Sequence, residues 1–329
     1  MSGPSFRYSR VANAHDALIQ ASRPGTAFLA GGTDLLQLWK AGAIAPAAVV
    51  DISRLPLDHV EFVDGRLSLG ALARLSDVAS HLDVTRYHPL IARAILASAS
   101  GQIRNMATVG GNLLQRTRCA YFRKEGLACN KRTPGCGCGA LAGENRQAAL
   151  FGASASCVAT HPSDLAVALT ALDAEVEVFG AEGQRRFPLR DLYRLPAETP
   201  ERDTHLAAGE LVTGINIPNA TRFAARSTYL KIRDRASFEF AVVSVAAVLH
   251  IENGRIVEAG LAAGGVAPLP WRLTRSEAVL VGRAPDARAI AAAGDMAIEH
   301  ARPLDHNGFK ITLLRNAVIR ALQTIGGQP

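Results

Sequence analysis

The chain is poor in aromatic residues, at 5% of 329. It also lacks an apolar run long enough to cross a bilayer: Phe240 to Leu249 falls well short of the roughly 20 residues a spanning helix requires. Met1 to Arg10 has no apolar centre and reads as no signal peptide, so the expectation is a soluble protein without an export signal of its own. Neither G-x-G-x-x-G nor G-x-x-x-x-G-K-[ST] occurs, which argues against a Rossmann site and a P-loop nucleotidase. There is no H-E-x-x-H, no Ser–His–Asp set and no pair of carboxylates placed for acid–base work, so hydrolase chemistry has no support. Repeats and low-complexity segments are absent. No helix carries Lys and Arg interleaved with stacking aromatics, the pattern of a nucleic-acid face.

What is present begins with an ordinary globular balance, 48% apolar and 20% charged, and a length that favours two domains. The formal charge is +7. Part of it gathers at Arg116, Arg118, Arg123, Lys124, Lys131 and Arg132, either as a solvated basic loop or as a positive collar around an anionic cofactor. Five cysteines are an odd number in a chain large enough to fold without staples, so a disulfide framework is not expected.

Thr26 to Ala30 reads as a short strand that ends in Gly31-Gly32-Thr33-Asp34. A helix then carries Leu35, Leu36, Leu38 and Trp39, and a second strand runs from Val49 to Ile52. Val60 to Leu69 forms a hairpin at Asp64-Gly65. Helices follow over Ala71 to Leu82, with Ser76 as a candidate cap, and over Pro89 to Ser98. Cys157 to Thr160 reads as strand, and Ser163 caps the helix after it. Ala174 to Phe179 and Arg185 to Pro188 make another hairpin, and Pro218 to Ala225 a linker. Tyr229 to Ile232, Ala241 to Ile251 and Arg255 to Ala263 then suggest an antiparallel sheet turning at Asn253-Gly254. Three helices close the chain, over Ser276 to Val281, Ala287 to His300 and Ile311 to Thr324. This order describes an α+β protein of two modules.

The chemistry gathers in three places. Ala30-Gly31-Gly32-Thr33-Asp34 and Thr108-Val109-Gly110-Gly111-Asn112-Leu113 are glycine pairs whose backbone amides can curl around an anion. Either alone is a plain tight turn; two together suit the pyrophosphate of one dinucleotide. Asp164, at a strand-to-helix junction, either accepts ribose or ribityl hydroxyls or compensates the helix dipole. His161 reaches a cofactor phosphate or packs internally, with packing the safer reading. Lys231, Arg233, Asp234 and Arg235 form a charged patch that closes over a flavin or, more plainly, a solvated strand edge. Nine residues separate Cys119 from Cys129, eight separate Cys129 from Cys138, and eighteen separate Cys138 from Cys157. No C-x₂₋₄-C zinc knuckle occurs. Four thiolates on an irregular loop suit a 4Fe–4S cube, with Cys136 and Cys138 competing for one position and reduced free thiols as the alternative.

The segments Ala30-Gly31-Gly32-Thr33-Asp34, Ala107-Thr108-Val109-Gly110-Gly111-Asn112-Leu113 and Pro162-Ser163-Asp164 resemble the FAD-binding (medium) subunits of the molybdenum hydroxylases. That family includes xanthine dehydrogenase, carbon monoxide dehydrogenase and aldehyde oxidoreductases. Gln115-Arg116-Thr117-Arg118-Cys119 with Cys129-Asn130-Lys131-Arg132 is most similar to the medium subunits of bacterial periplasmic aldehyde oxidoreductases, which carry an extra 4Fe–4S cluster. 4-Hydroxybenzoyl-CoA reductase has an insertion of a different arrangement.

The resemblance implies a two-lobed, vanillyl-alcohol-oxidase-type FAD-binding domain over 1–220, with lobes of about 1–55 and 56–220 and a cysteine loop at 115–157. A C-terminal flavoprotein α+β domain over 221–329 follows, like that of CO dehydrogenase. It places the FAD pyrophosphate on Phe28, Leu29, Ala30, Gly31, Gly32, Thr33, Asp34, Leu35, Thr108, Gly110, Gly111, Asn112 and Leu113. Asp164 falls at the ribityl or ribose region, Lys231 near the flavin, and His161 close by. The cluster ligands become Cys119, Cys129, Cys138 and Cys157, with Cys136 spare.

The implied function is electron transfer within a heterotrimer. A large subunit with a molybdenum cofactor oxidises an aldehyde, a small subunit carries two 2Fe–2S clusters, and FAD on this chain passes electrons to an external acceptor. The alternatives are a medium subunit of a xanthine dehydrogenase or hydroxybenzoyl-CoA reductase type, a stand-alone FAD oxidase, and a zinc-stabilised binding module. Export with a partner that bears a twin-arginine signal puts the complex in the periplasm, with the cytoplasm as the alternative.

Overall fold

A computed structural model describes residues 6–327; Met1 to Ser5, the start of the segment inspected above for a signal core, and Gln328 and Pro329 lie outside the described residues. Three sheets organise it. Arg7–Arg10, Ala48–Asp51 and Thr26–Leu29 form a parallel sheet with Ala48–Asp51 in the middle. The helix Leu35–Lys40 makes the crossover between two of its strands, so Gly31 and Gly32 lie at the carboxyl end of the first. Five antiparallel strands follow in the order Val60–Val63, Arg66–Gly70, Leu211–Ile217, Glu175–Gly180, Gly183–Pro188. The central strand returns from far along the chain and closes this lobe. The last sheet orders Trp271–Arg272, Arg255–Gly264, Val243–Glu252 and Ser227–Ile232, all antiparallel. Its tight turn at Asn253-Gly254 has both residues at positive φ, 51° and 75°, as a two-residue type I′ hairpin demands.

The apolar run of Val243–Glu252 is explained by burial on both faces. Val243, Val245, Ala247 and Leu249 point into the core under the helices Ala287–Ala297 and Phe309–Gly326, whereas Ala246 and Val248 join the core of the second lobe. Side chains alternate along a strand, so the two sets divide cleanly. Against the second face lies the helix Asp164–Ala171, buried at all eight positions. A helix that is apolar all round belongs inside. Ser163 caps it, its Oγ accepting from the Ala166 amide at 3.0 Å.

Three local readings are corrected. Ala71 to Leu82 is not one helix: Leu75–Ser80 and Leu82–Tyr87 meet at His81, which is extended at φ −63° and ψ 131°. Ser76 does not cap; Arg74 holds the cap position without a side-chain bond, and the Ser76 hydroxyl turns to Asp77. Cys157 to Thr160 is irregular chain, with a single bridge between Ser154 and Cys157, because its backbone follows the cysteine cavity instead of a sheet. Among the described residues no helix is long and apolar enough to cross a membrane.

His88 sits at the start of the helix Pro89–Ala97, buried, with neither ring nitrogen partnered. Burial pushes it down to about 4 from 6.5. The unfolded chain therefore binds more protons between those values, and stability falls as pH drops through that window. His88→Leu is expected to leave the melting point at pH 8 nearly unchanged and to recover about 1–3 kcal/mol of the loss near pH 4. Chemical denaturation at both pH values measures it.

Candidate functional site: two glycine turns and a cysteine loop

Both glycine pairs wall the same cleft, of about 230 Å³, with Phe28, Ala30, Gly31, Gly32, Thr33, Asp34 and Leu35 on one side and Thr108, Gly110 and Gly111 on the other. The first turn tolerates no side chain. A Cβ on Gly31 would run into the Met106 carbonyl oxygen, and Gly32 holds φ +72°. Gly110 packs on Ala71, where a Cβ would come to 3.0 Å from the alanine methyl. Thr108 receives the Gly111 amide on Oγ1 at 3.2 Å, which fixes the second turn. Gly110 and Gly111 lie inside the short helix Val109–Leu113, and the Gly110 amide donates to the Ala71 carbonyl at 2.8 Å as the Gly111 amide does to Thr108, so the expectation that this pair curls its amides around an anion is corrected and only Gly31-Gly32 is a strand-to-helix turn.

A second cleft of about 540 Å³ opens between the N-terminal lobes and the C-terminal sheet. Arg118, Cys119, His161 and Asp164 form one wall, and Phe240, Ala241, Ser244 and Gly265 the other. The segment Leu114 to Arg118 separates the clefts: Leu114 and Arg116 face the first, Thr117 and Arg118 the second. The size and mixed lining suit a flat heteroaromatic ring.

Asp164 and Lys231 meet at the back of this cleft. Lys231 Nζ donates to Asp164 Oδ2 at 2.8 Å, with both side chains buried, at 4% and 5% exposure. Tyr229 Oη donates to the other carboxylate oxygen at 2.5 Å. Burial, then the adjacent carboxylate, raises the Tyr229 phenol far above its usual value, so it remains a donor. Asp164 is thus neither free nor a simple dipole partner. The reading of Lys231 as part of a solvated edge is corrected: Lys231 points inward while Asp234 and Arg235 remain outside. Tyr229 went unnoticed in the sequence, although residues two apart on a strand share a face and Tyr229-x-Lys231 signals this pair.

His161 is a packed residue. Its Nε2 lies 3.3 Å from the Leu113 carbonyl and its Nδ1 takes the Ser163 amide at 3.4 Å, which assigns the neutral tautomer with the proton on Nε2. Burial holds it down to about 4. Leu113 is fully buried, and Leu29, Asn112 and Leu113 line neither cleft. Asn112 instead accepts from Ser163 Oγ at 2.6 Å and ties the second turn to the buried helix. Lys310, fully buried, donates to the carbonyls of Ala148 at 2.8 Å and Gly265 at 2.5 Å, and so holds two walls of the larger cleft together.

Cys119, Cys129, Cys138 and Cys157 line one small enclosed cavity. An antiparallel bridge sets Cys129 against Cys138. Cys136 is exposed and outside the cavity, its sulfur accepting the Cys129 amide at 3.1 Å. Burial raises Cys119 and takes Cys157 up to about 11, so these thiols ionise at neutral pH only by binding a metal. Among the described residues no three side chains converge on a single ion. A cube holds its thiolates further apart than one ion does, and the cavity, at about 10 Å³, has room for one water. The donor set has the right chemistry for a cluster, and seating one requires the loop to spread.

The chain matches two family profiles: "FAD binding domain in molybdopterin dehydrogenase" over residues 4–220 and "CO dehydrogenase flavoprotein C-terminal domain" over 228–325. The chain belongs to the FAD-binding medium subunits of the molybdenum hydroxylases. It is 44% identical to the aldehyde oxidoreductase FAD-binding subunit PaoB of Escherichia coli K12, over 97% of each chain. It is also 28% identical to the glyceraldehyde dehydrogenase medium chain of Sulfolobus acidocaldarius, over 85% of this chain and 82% of that one. The CO dehydrogenase of Oligotropha carboxidovorans shares the fold, with a TM-score of 0.78 at 23% identity and full coverage of both chains. A medium subunit is one part of a larger oxidoreductase, so this chain holds FAD within a multi-subunit enzyme.

FAD fits the two clefts. The smaller cleft runs along the Gly31-Gly32 turn and suits the pyrophosphate, and the larger cleft suits the ring. Gly31→Ala is expected to lower the flavin-to-protein absorbance ratio at least about tenfold, because the backbone must shift wherever the Cβ meets a carbonyl; Gly101→Ala, in open space, leaves it unchanged. Lys231→Met strands Asp164 as a buried charge and costs about 3–5 kcal/mol in urea unfolding.

Proposed function

We propose that this medium subunit serves a heterotrimeric aldehyde oxidoreductase and binds a 4Fe–4S cluster of its own on Cys119, Cys129, Cys138 and Cys157. The aldehyde is oxidised on a large molybdenum-cofactor subunit, and a small subunit with two 2Fe–2S clusters connects it to this chain. The observation that carries the reading is the four-cysteine cavity, present in a chain 44% identical to an aldehyde oxidoreductase subunit. FAD, when bound, supplies exchange between one-electron and two-electron carriers. The chain's own residues do the rest. The Gly31-Gly32 turn receives the pyrophosphate, and Asp164, which lines the ring cleft, is held rigid from behind by Tyr229 and Lys231. Lys310 keeps the cleft walls at fixed separation. An external acceptor takes the electrons. The complex resides in the periplasm, exported folded with a partner that bears a twin-arginine signal; the cytoplasm is the alternative.

Iron, sulfide and flavin counts on protein purified without oxygen test this. About four irons and four sulfides with one FAD per chain are expected. Cys138→Ser should lose the iron, and Cys136→Ser should keep it. One FAD with no iron in the wild type would remove the cluster and leave an ordinary medium subunit.

A further inference from the structure

We infer that Lys310 sets the redox balance of the flavin: its ammonium, held at the seam of the ring cleft with no carboxylate to cancel it, favours the ring in its reduced, negatively charged form. The inference rests on the ring lying in the larger cleft. Lys310 stands in the first turn of the helix Phe309–Gly326 and is fully buried. Its Nζ donates to the carbonyls of Gly265 at 2.5 Å, Ala148 at 2.8 Å and Gln147 at 3.5 Å, and all three residues line the cleft. The charge is therefore one layer of backbone behind the cleft surface. Asn307, also fully buried, donates from Nδ2 to the same Ala148 carbonyl at 3.1 Å and to that of Ala149 at 3.3 Å. It braces the same wall without a charge.

The other charges around the cleft are matched or solvated. Asp164 has Lys231, Arg118 has Asp34, and Arg146 holds both Asp234 oxygens at 3.0 Å. Glu239 lies 3.4 Å from Arg235, and Lys124 and Glu144 are exposed to screening solvent. Lys310 has only carbonyls, whose dipoles spread its charge without cancelling it. A buried ammonium without a counter-ion is costly, and an apolar side chain would fill the same space without that cost. Burial pushes Lys310 down to about 7 from 10.5, and Arg146 pushes the same way, so nothing in the empty cleft favours the charge. An anion in the cleft would. Two electrons from the enzyme's other carriers and one proton from water convert the neutral flavin ring to an anion. The ammonium attracts that charge across a dry wall and has no charge to attract in the oxidised ring, so it stabilises the reduced form selectively. The pyrophosphate is the same in both forms and drops out of the difference.

The test is a dye-coupled redox titration of the bound flavin in the full chain, with the flavin content of each protein counted first. Lys310→Met removes the charge and keeps most of the side chain's length. Asn307→Asp keeps the lysine and sets a carboxylate beside it, and Asn307→Ala opens the same wall with no change of charge. At a fixed potential the reduced-to-oxidised ratio is expected to fall about tenfold in Lys310→Met and in Asn307→Asp, a midpoint about 30 mV lower for this two-electron couple. Asn307→Ala is expected to keep the wild-type ratio. The fall should persist at about 1 M salt, because salt screens buried charges little. A purely structural role would move Asn307→Ala as far as Lys310→Met, and that result overturns the inference. A Lys310→Met protein with full flavin and the wild-type midpoint overturns it too. If Lys310→Met does not fold, Asn307→Asp decides alone, and a wild-type ratio there overturns the inference. A wild-type chain that takes up no FAD would instead sink the flavin placement before any titration.

Discussion

A buried carboxylate joins the two domains of this protein. Asp164 starts a helix that is enclosed on every side, and its two oxygens are taken by Tyr229 and Lys231 from the first strand of the C-terminal sheet. Neither charge is solvated, so the two sustain each other, and removal of either leaves the other uncompensated. The helix cannot leave the C-terminal sheet without exposing both that pair and the apolar face carrying Ala246 and Val248. The position of the ring cleft follows, because its two walls come from opposite sides of this contact.

The glycine turns depend on that frame at one remove. Asn112 reaches the helix cap through Ser163, and the Leu113 carbonyl is held by His161 and Tyr193. Burial raises the Tyr193 phenol and lowers His161, so both remain neutral and serve as fixed spacers. The second turn is therefore set by the protein interior, and the first is set by close packing against Met106. A cofactor lying across both is measured against two rigid references.

The cysteine loop is built into this arrangement instead of hanging from it. Lys131 is buried and pairs with Asp203, which also takes Arg116 at 2.7 Å. These cations outweigh the effect of burial and hold Asp203 below the usual carboxylate range. With Asp34, which takes Arg116, Arg118 and Arg123, two carboxylates from distant parts of the chain pin the stretch from Arg116 to Lys131. Four charges of the basic cluster visible in the sequence, Arg116, Arg118, Arg123 and Lys131, are thus matched by carboxylates 72 to 89 residues away, while Arg132 binds nearby carbonyls and Lys124 is exposed.

Local patterns were enough to show the turns at Asp64-Gly65 and Asn253-Gly254, the cap at Ser163, the two glycine pairs and the unusual cysteine loop, because each depends on backbone freedom or spacing within a few residues. The α+β order and the family resemblance were legible for the same reason. The cap at Ser76 and the strand at Cys157 were misread where packing, not propensity, sets the backbone. What the linear order could not supply is which charges meet. Asp34 with Arg118 and Arg123, Asp164 with Lys231, and Asp203 with Lys131 are pairings of residues remote in the chain, and only the folded sheets bring them within reach. Sequence by itself determined which groups could hold a flavin and a cluster; the tertiary structure decided which of them face the clefts and which hold the clefts in place, because burial, not residue type, assigns a charged group its partner.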